Sequence, residues 1–227
     1  MIKLTWLSHA SWMIETSSQK ILLDPFFAEN PAAKVSAGDF ADATHVLVSH
    51  GHFDHVADVA AVIKKSGAQL IANWEIAEWF KSNHGMENVV AMNTGGNYAM
   101  PEGVVKMVPA LHSSGLPDGS YGGSAAGYVL KIEDHRIYFA CDTAYFSDMK
   151  WYAGGVDVAV LPIGDLLTMG IHDSIEAIKL IEPKVVLPTH YGTWPPIAQD
   201  AAAWANLVRS ETDSKPVVLA VGESHTV

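Results

Sequence analysis

The chain carries three histidines and an aspartate within six residues, His50-Gly-His52-Phe-Asp54-His55, directly after an apolar run that ends at Ser49. Imidazole and carboxylate groups are common ligands of divalent metals, and this density at the end of a buried strand is typical of a metal site. Alternation along an extended chain puts His50 and His52 on one side, and a following turn directs Asp54 and His55 towards a second point nearby. The motif therefore predicts a metal centre at a strand end.

Three further residues of ligand type stand alone elsewhere in the chain, and each follows an apolar run: His112, Asp142 and His190. Taken singly, each could cap a turn, because Asp and His side chains often bond to the backbone at strand ends. A two-metal centre needs ligands from several strand ends. Together with the motif at 50–55, these three residues predict a centre for two divalent cations.

Short apolar runs separated by polar turns predict strands in both halves of the chain. They are Ile2–Leu7, Ser11–Thr16, Lys20–Asp24, Thr44–Ser49, Val89–Met92, Val104–Ala110, Ala125–Glu133, Arg136–Cys141, Val156–Leu161, Lys184–Pro188 and Pro216–Val221. Helical spacing and end signals predict the helices Val56–Ser66, Trp74–Ser82, Ser174–Ile181 and Gln199–Arg209. This order favours an α/β fold of two mixed β-sheets packed face to face, with helices on both outer faces, a four-layer sandwich. No linker divides residues 1–227, so we expect one domain.

Composition and charge limit the partners. The 227 residues include 14 Lys and Arg against 25 Asp and Glu, a formal net charge of −11, which disfavours nucleic acid and anionic membranes. The single cysteine, Cys141, excludes an intramolecular disulfide. No run approaches the ~20 apolar residues of a membrane span, and the N-terminus lacks a signal-peptide pattern. We therefore expect a cytoplasmic protein with a small-molecule substrate and no membrane partner; apolar surface would favour a homo-oligomer.

The ligand-type residues resemble those of the metallo-β-lactamase superfamily along the whole chain. The matching segments are Leu23-Asp24-Pro25, the motif at 50–55, His112, Cys141-Asp142-Thr143 and Thr189-His190. The resemblance implies the αββα sandwich fold. It also implies one metal held by three histidines, a second held by two histidines and an aspartate, and a bridging aspartate. The first set is His50, His52 and His112; the second is Asp54, His55 and His190; the bridge is Asp142.

Within that superfamily the chain is most similar to the small cytoplasmic metal-dependent hydrolases related to ascorbate-phosphate lactonase. The specific similarities are the segments 7–11 (Leu-Ser-His-Ala-Ser), 161–165 (Leu-Pro-Ile-Gly-Asp) and 168–170 (Thr-Met-Gly). The chain departs from these relatives at Cys141, where glycine is common, and at Leu166-Leu167, where a more polar or aromatic pair is frequent. These departures leave the metal residues intact and leave the substrate open.

The chemistry expected of such a centre is hydrolysis. Two cations about 3.5–4 Å apart share a water and lower its pKa from about 15.7 towards ~7, which supplies a metal-bound hydroxide as nucleophile. The predicted function is cleavage of an ester-like, lactone, amide or phosphodiester bond in a small anionic or cyclic substrate. Asp54 is the principal catalytic candidate, because it can hold the water and accept its proton. Zinc is the first expectation, and manganese, iron or nickel suit the same ligands.

Two weaker catalytic candidates, and several alternatives, stay open at the level of sequence. His9 is either a proton donor or a hydrogen-bonded structural residue, and Asp165 is a helix cap, a supporting group or a substrate contact. The glycine-rich segment Gly115–Ser124 is either a mobile lid or an ordinary hairpin connection. A nuclease or tRNA-processing phosphodiesterase and a non-hydrolytic metal-binding protein are the alternative functions.

Overall fold

Two seven-stranded mixed β-sheets make up the centre of the molecule, and the computed structural model describes residues 1–227. The strands of the first sheet are β1 (Lys3–Ser8), β2 (Ser11–Glu15), β3 (Lys20–Leu23), β4 (His45–Leu47), β5 (Gln69–Asn73), β6 (Val89–Met92) and β14 (Ser224–Thr226). Those of the second are β7 (Asn97–Met100), β8 (Gly103–Pro109), β9 (Ala126–Ile132), β10 (His135–Phe139), β11 (Val158–Pro162), β12 (Val185–Thr189) and β13 (Lys215–Pro216). The spatial orders are β14-β1-β2-β3-β4-β5-β6 and β13-β12-β11-β10-β9-β8-β7.

Six α-helices lie between the strands in sequence. They are α1 (Phe53–Val56), α2 (Val59–Ser66), α3 (Trp74–His84), α4 (Met149–Ala153), α5 (Ile171–Ile181) and α6 (Ala201–Glu211). The N-terminus of α3 is capped, because the Asn73 side chain accepts a hydrogen bond from the Ile76 amide. None of the helices has the length and apolar character needed to cross a membrane.

Three apolar clusters define the layers. The largest lies between the two sheets and includes Trp12 from β2, Tyr128 from β9 and Leu187 from β12. A second joins the outer face of the second sheet to α4, α5 and α6, with Trp204 fully buried. A third joins the outer face of the first sheet to α2 and α3, with Phe80 among its members. The four-layer αββα sandwich predicted from the sequence is confirmed.

Strand direction places the ends of many strands at one edge. β1 is antiparallel to β2, β2 is antiparallel to β3, and β3 is parallel to β4, so β1, β3 and β4 run the same way. In the second sheet β8 and β10 are both antiparallel to β9, and β10 to β12 are parallel, so β8, β10, β11 and β12 share a direction. Cross-sheet bonds align the two sheets, since the His190 amide donates to the His9 carbonyl at 3.0 Å. The C-terminal ends of these seven strands therefore meet at a common rim.

The predicted closing strand Pro216–Val221 is wrong. Only Lys215 and Pro216 pair with β12, and the chain then crosses to the first sheet, where β14 pairs with β1. The Val217 amide still donates to the Val186 carbonyl at 2.9 Å, and residues 218–221 then leave the ladder. The alternate side chains of Val217, Leu219 and Val221 pack against the cluster between the sheets. The alternation that suggested a strand therefore reflects a segment that covers an end of the inter-sheet core.

Smaller differences concern short elements. Of the predicted helix Val56–Ser66, α2 covers residues 59–66, and Val56 is the last residue of the separate short helix α1, which was not predicted. Strands β5, β7 and β14 and helix α4 were not predicted, because each has at most five residues and is too short to show a clear period.

The inter-sheet core gives a stability prediction. Leu130 in β9 is fully buried between the sheets, so Leu130→Ala should lower the free energy of unfolding by about 2–5 kcal/mol through lost transfer energy and the cavity left behind. Urea denaturation of the metal-free protein is the measurement. Leu166→Ala, at a side chain 72% exposed, is the control and should change stability by no more than about 0.5 kcal/mol. Equal effects of the two substitutions would contradict the packing described.

Candidate metal centre

The ligand-type residues predicted from the sequence lie together at the common rim. The motif at 50–55 follows β4, and His112, Asp142 and His190 follow β8, β10 and β12. His9 follows β1 and Asp24 follows β3. Since the carboxyl ends of same-direction strands meet at one edge of a sheet, six strands deliver their terminal side chains to one place.

Left-handed backbone turns direct several of these side chains into the rim. His9, Asp24, Cys141 and His190 have φ of 51°, 45°, 55° and 54°, values that L-residues rarely adopt. Such a conformation costs of order 1–3 kcal/mol per residue and persists only where the surroundings enforce it. Each strand therefore ends in an abrupt turn, and the turn at Cys141 is followed at once by Asp142. The Cys141 side chain itself is buried in the inter-sheet cluster.

The first group of donor atoms comprises His50, His52 and His112, whose ring nitrogens lie within 4.8 Å of one another. The His52 Nδ1 is 3.0 Å from the His50 Nε2, and its Nε2 lies 3.0 Å from the Ser113 hydroxyl. Gly51 allows this geometry, because a Cβ at that position would stand 3.1 Å from the Leu116 Cγ. The motif therefore packs closely against the loop after β8. Within the motif, the Nδ1 of His52 and the Nε2 of His50 point towards the same place.

The second group comprises Asp54, His55, His190 and also His9, again with donor atoms within 4.8 Å of one another. The Asp54 Oδ2 lies 3.8 Å from both the His55 Nε2 and the His190 Nε2. All four residues are buried. The turn into α1 separates this group from the first, as alternation along the motif predicts.

Asp142 lies between the two groups. Its Oδ2 is 4.0 Å from the His50 Nε2 and 3.6 Å from the His112 Nε2 on one side. On the other side it is 3.4 Å from the His55 Nε2 and 3.0 Å from the His190 Nε2. One carboxylate oxygen therefore faces four imidazole nitrogens from two groups.

Several of the converging atoms have no hydrogen-bond partner although they are fully buried. They are the His55 Nε2, the Asp142 Oδ1 and both ring nitrogens of His190. A buried polar atom without a partner costs about 1–3 kcal/mol, so a cluster of them calls for a ligand. Nitrogen and carboxylate donors aimed at common points suit divalent transition metals, and the residues present fit such ions.

A buried carboxylate behind the histidines sets the orientation of their rings. Asp24 accepts hydrogen bonds from the Ser49 amide at 2.8 Å, the Ser49 hydroxyl at 2.6 Å and the His55 Nδ1 at 2.8 Å. Since the Ser49 hydroxyl donates to Asp24, the His50 Nδ1 at 2.9 Å donates to Ser49. Both rings therefore carry hydrogen on Nδ1 and turn Nε2 towards the rim, which is the usual second layer of a metal site.

His9 contacts Asp54 and is held by its other ring nitrogen. Its Nε2 lies 2.9 Å from the Asp54 Oδ2, and its Nδ1 lies 2.8 Å from the Thr193 hydroxyl. Burial and the neighbouring His190 lower the pKa of His9 to about 4, so the imidazole is neutral at pH 7. A neutral ring donates from Nε2 to Asp54 and accepts from Thr193 on Nδ1, an arrangement that positions Asp54.

The acid–base balance of the rim depends on its two carboxylates. Burial alone would lower the pKa of His190, but the Asp142 carboxylate raises it to about 9. The pKa of His55 is likewise raised by Asp142 and Asp24 against the effect of burial. Burial raises the pKa of Asp142, but His190 and His55 outweigh it and hold the pKa well below its usual range. Without metal, protons on these two histidines therefore balance the buried negative charge.

Asp165 is not brought into either group. It lies in an exposed, left-handed turn after β11, and its carboxylate accepts a hydrogen bond from the Leu166 amide at 2.8 Å. The segment Gly115–Ser124 forms a hydrogen-bonded hairpin with a bridge between Gly115 and Tyr121, and Asn73 donates to its backbone at Gly122 and Ser124.

An open cleft of about 520 Å³ lies against the donor atoms. Sequence reasoning missed the residues that support and border it. Ser49 adjoins the motif and was open to recognition as a partner for His50. Thr193 shows no signal in sequence and is brought in by the loop after β12. The sequence marked Leu167 only as a departure from the relatives, and the loop after β11 brings it to the cleft.

Comparison with known proteins shows the family of the chain. A family model described as the beta-lactamase superfamily domain matches residues 19–191. The chain is 41% identical over 228 residues to a UPF0173 metal-dependent hydrolase from Pyrococcus furiosus, with 99% of each chain covered. It is 42% identical over 212 residues to a UPF0173 metal-dependent hydrolase from Thermus thermophilus, with 93% of each covered.

Solved structures are similar over the whole chain. A metallo hydrolase from the archaeon Ignicoccus hospitalis gives a TM-score of 0.88 at 30% identity, covering 100% of this chain and 98% of that one. An isothiocyanate hydrolase from Delia radicum gut bacteria shares the fold, with a TM-score of 0.80 at 20% identity over 99% and 98% of the two chains.

The raised pKa values predict that metal binding releases protons. At pH 7 the metal-free protein carries a proton on His190, whose pKa is about 9, and a ligating imidazole must be neutral. Titration calorimetry with Zn²⁺ at pH 7, in two buffers of different ionisation enthalpy, should therefore give different apparent enthalpies. Metal affinity should rise as the pH approaches about 9, because fewer protons then have to leave His190. Protonated His190 stabilises the folded metal-free protein, and this stabilisation is lost as the pH rises from the ordinary pKa of 6.5 to about 9. Identical enthalpies in both buffers would contradict this balance.

Asp24 is not among the proposed metal ligands, but its hydrogen bonds to Ser49 and His55 predict that its substitution lowers metal affinity. Asp24→Asn removes the charge that orients His55 and His50, so affinity for Zn²⁺ should fall by about 10- to 100-fold. Asp58→Asn is the matched control, because Asp58 is also buried and accepts two backbone amides, from Phe27 and Ala28, but touches no histidine. Competition with a fluorescent chelator measures both. An equal loss in the two variants would show that Asp24 acts only through stability.

Proposed function

The chain belongs to the β-lactamase superfamily and is a metal-dependent hydrolase, and we propose that it holds two divalent cations at the rim and cleaves an ester-like, lactone or phosphodiester bond of a small substrate. The observation that carries this proposal is the buried Asp142 carboxylate among four imidazoles, with unpartnered donor atoms on both sides. A dinuclear centre explains why two groups of donors share one carboxylate.

The proposed ligand sets follow the two groups. His50, His52 and His112 would hold one cation, Asp54, His55 and His190 would hold the other, and Asp142 would be shared between them. Zinc fits this mixture of imidazole and carboxylate, and manganese, iron and nickel fit it as well. His9 stands within the second group but is engaged on both ring nitrogens, so we assign it to Asp54 rather than to a cation.

Bound cations would supply a Lewis acid for the bond being cleaved and a water whose pKa is lowered to about 7. Asp54 borders the cleft, accepts from His9 and is held in the ionised form, because contacts with His190 and His9 outweigh the effect of burial on its pKa. An ionised carboxylate at this position can accept the proton of the attacking water and orient its lone pair.

His9 acts in this proposal through Asp54. It is neutral, donates to the carboxylate, and is fixed by Thr193 and by edge contacts with Phe26 and Trp194 at ring-centroid distances of 5.5 and 4.9 Å. It therefore restricts Asp54 to one orientation. Asp165 remains a catalytic candidate from the sequence only, since its carboxylate is bonded to its own turn.

Metal content is the first test of the proposal. Protein purified without chelators should contain close to two divalent ions per chain by elemental analysis, and removal of the metals should abolish hydrolysis of ester and diester substrates. Re-addition of zinc or manganese should restore it. Less than one metal per chain in a hydrolytically active preparation would contradict a dinuclear centre.

Removal of the Asp54 carboxylate tests its role in the reaction. Asp54→Asn should lower kcat by about 10²- to 10⁴-fold, the range expected for a lost general base. Steady-state kinetics of the metal-loaded enzyme is the measurement. Asp134→Asn is the control, because Asp134 is exposed in the turn between β9 and β10 and should leave kcat unchanged. Undiminished hydrolysis by the Asp54 variant would contradict the proposed role.

A further inference from the structure

The cleft beside the donor atoms has an apolar wall. Phe53, Leu116, Pro117, Leu167 and Trp194 line it, and the cleft of about 520 Å³ is of a size that suits a small molecule. Phe53 and Leu167 are each half exposed, at 50% of their surface. Exposed apolar side chains gathered at the mouth of a concave site indicate contact with an apolar part of a ligand.

The aromatic part of this wall is held in place by packing. The Trp194 ring lies 6.0 Å from the Phe26 ring and 6.1 Å from the Phe53 ring, and it meets His9 edge-on at 4.9 Å. Phe26 is fully buried, so the group rests on the interior of the molecule. The apolar surface is therefore formed before any ligand arrives, which reduces the entropic cost of binding.

Cationic side chains are absent from the whole mouth of the site. The cleft adjoins a second cavity of about 780 Å³, and the two share His112, Ser113 and Gly115. None of the 14 Lys and Arg residues of the chain lines either cavity. Outside the proposed metal ligands, the linings carry no Asp or Glu either. A phosphate or carboxylate on the flank of a substrate would find no cationic side chain here to compensate for the hydration it gives up.

We propose, resting on the hydrolase function above, that the substrate is an electrically neutral carboxylic ester or lactone whose apolar portion lies against Phe53, Leu167 and Trp194. In the reaction the oxygen of water bonds to the carbonyl carbon, the bond from that carbon to the ester oxygen breaks, and the departing oxygen takes up the proton. The products are a carboxylic acid and an alcohol, or one hydroxy acid from a lactone. Of the anionic or cyclic substrate expected from the sequence, this inference keeps the cyclic alternative and replaces the anionic one.

Two esters that differ only at the far end of the acyl chain provide the kinetic test. With the zinc-loaded enzyme, kcat/KM for p-nitrophenyl hexanoate should exceed that for mono-p-nitrophenyl adipate by at least about tenfold, because the terminal carboxylate meets no partner. From butanoate to hexanoate esters, kcat/KM should rise by up to about fourfold per methylene, which corresponds to ~0.8 kcal/mol per buried CH₂. Bis-p-nitrophenyl phosphate should be cleaved more slowly than the hexanoate ester.

A pair of neighbouring substitutions tests the wall itself. Leu167→Lys places a cation in the cleft and should reduce the preference for the neutral ester to near parity. Leu166→Lys adds the same charge to the same loop, but Leu166 does not line the cleft, so the preference should stay as in the unsubstituted enzyme. Equal effects of the two substitutions would contradict a contact between Leu167 and the acyl chain.

A binding measurement without turnover separates this inference from the proposed function. In the metal-free protein, ligand-observed NMR should show 2-octanone binding at least about tenfold more tightly than 7-oxooctanoate, which replaces its terminal methyl with a carboxylate. Faster hydrolysis of the adipate ester or the phosphodiester, or equal binding of the two ketones, would overturn the neutral-substrate inference and leave the hydrolase intact. Absence of any metal-dependent hydrolysis would instead overturn the proposed function, while the ketone pair would still test the walls.

Discussion

A carboxylate oxygen buried among four imidazoles is the interaction on which the rim depends. The Asp142 Oδ2 has the Nε2 atoms of His50, His55, His112 and His190 within 4.0 Å, in a region with little access to water. A buried charge is tolerated only when opposite charge and hydrogen bonds compensate for lost hydration. Protons on His55 and His190 can supply that compensation without metal, and two cations would replace them. The same carboxylate thus links folding, protonation and metal affinity.

The fold supplies this arrangement through strand direction. Strands β1, β3 and β4 run in one direction in the first sheet, and β8, β10 and β12 run in one direction in the second, so their C-terminal ends lie at one rim. Abrupt left-handed turns at His9, Asp24 and His190 point the side chains inward. Bonds between the sheets, such as Trp12 Nε1 to the Thr189 hydroxyl at 3.0 Å, hold the two halves in register. The strained left-handed turns persist because the apolar clusters on the faces of the sheets hold the strands in place.

Much of this was accessible from the sequence, for identifiable reasons. The motif at 50–55 and the positions of His112, Asp142 and His190 after apolar runs were sufficient to predict that these residues gather, since strand ends share an edge in such sheets. Long strands and the helix capped by Asn73 were predicted because their periods and end signals are strong. The crossing at 217–221 was not, because alternation reports which side chains are covered and does not distinguish a paired strand from a segment lying over the core. Thr193, Leu167 and the left-handed turns depend on loops meeting in space, and no local pattern encodes that.

The central claim is that two cations lie on either side of Asp142. Anomalous diffraction from crystals of the zinc-loaded protein, recorded on both sides of the zinc absorption edge, measures this most directly. The account predicts two peaks about 3.5–4 Å apart, one beside His50, His52 and His112 and one beside Asp54, His55 and His190, with Asp142 between them. A single fully occupied peak, or two peaks with Asp142 bound to neither, would contradict it.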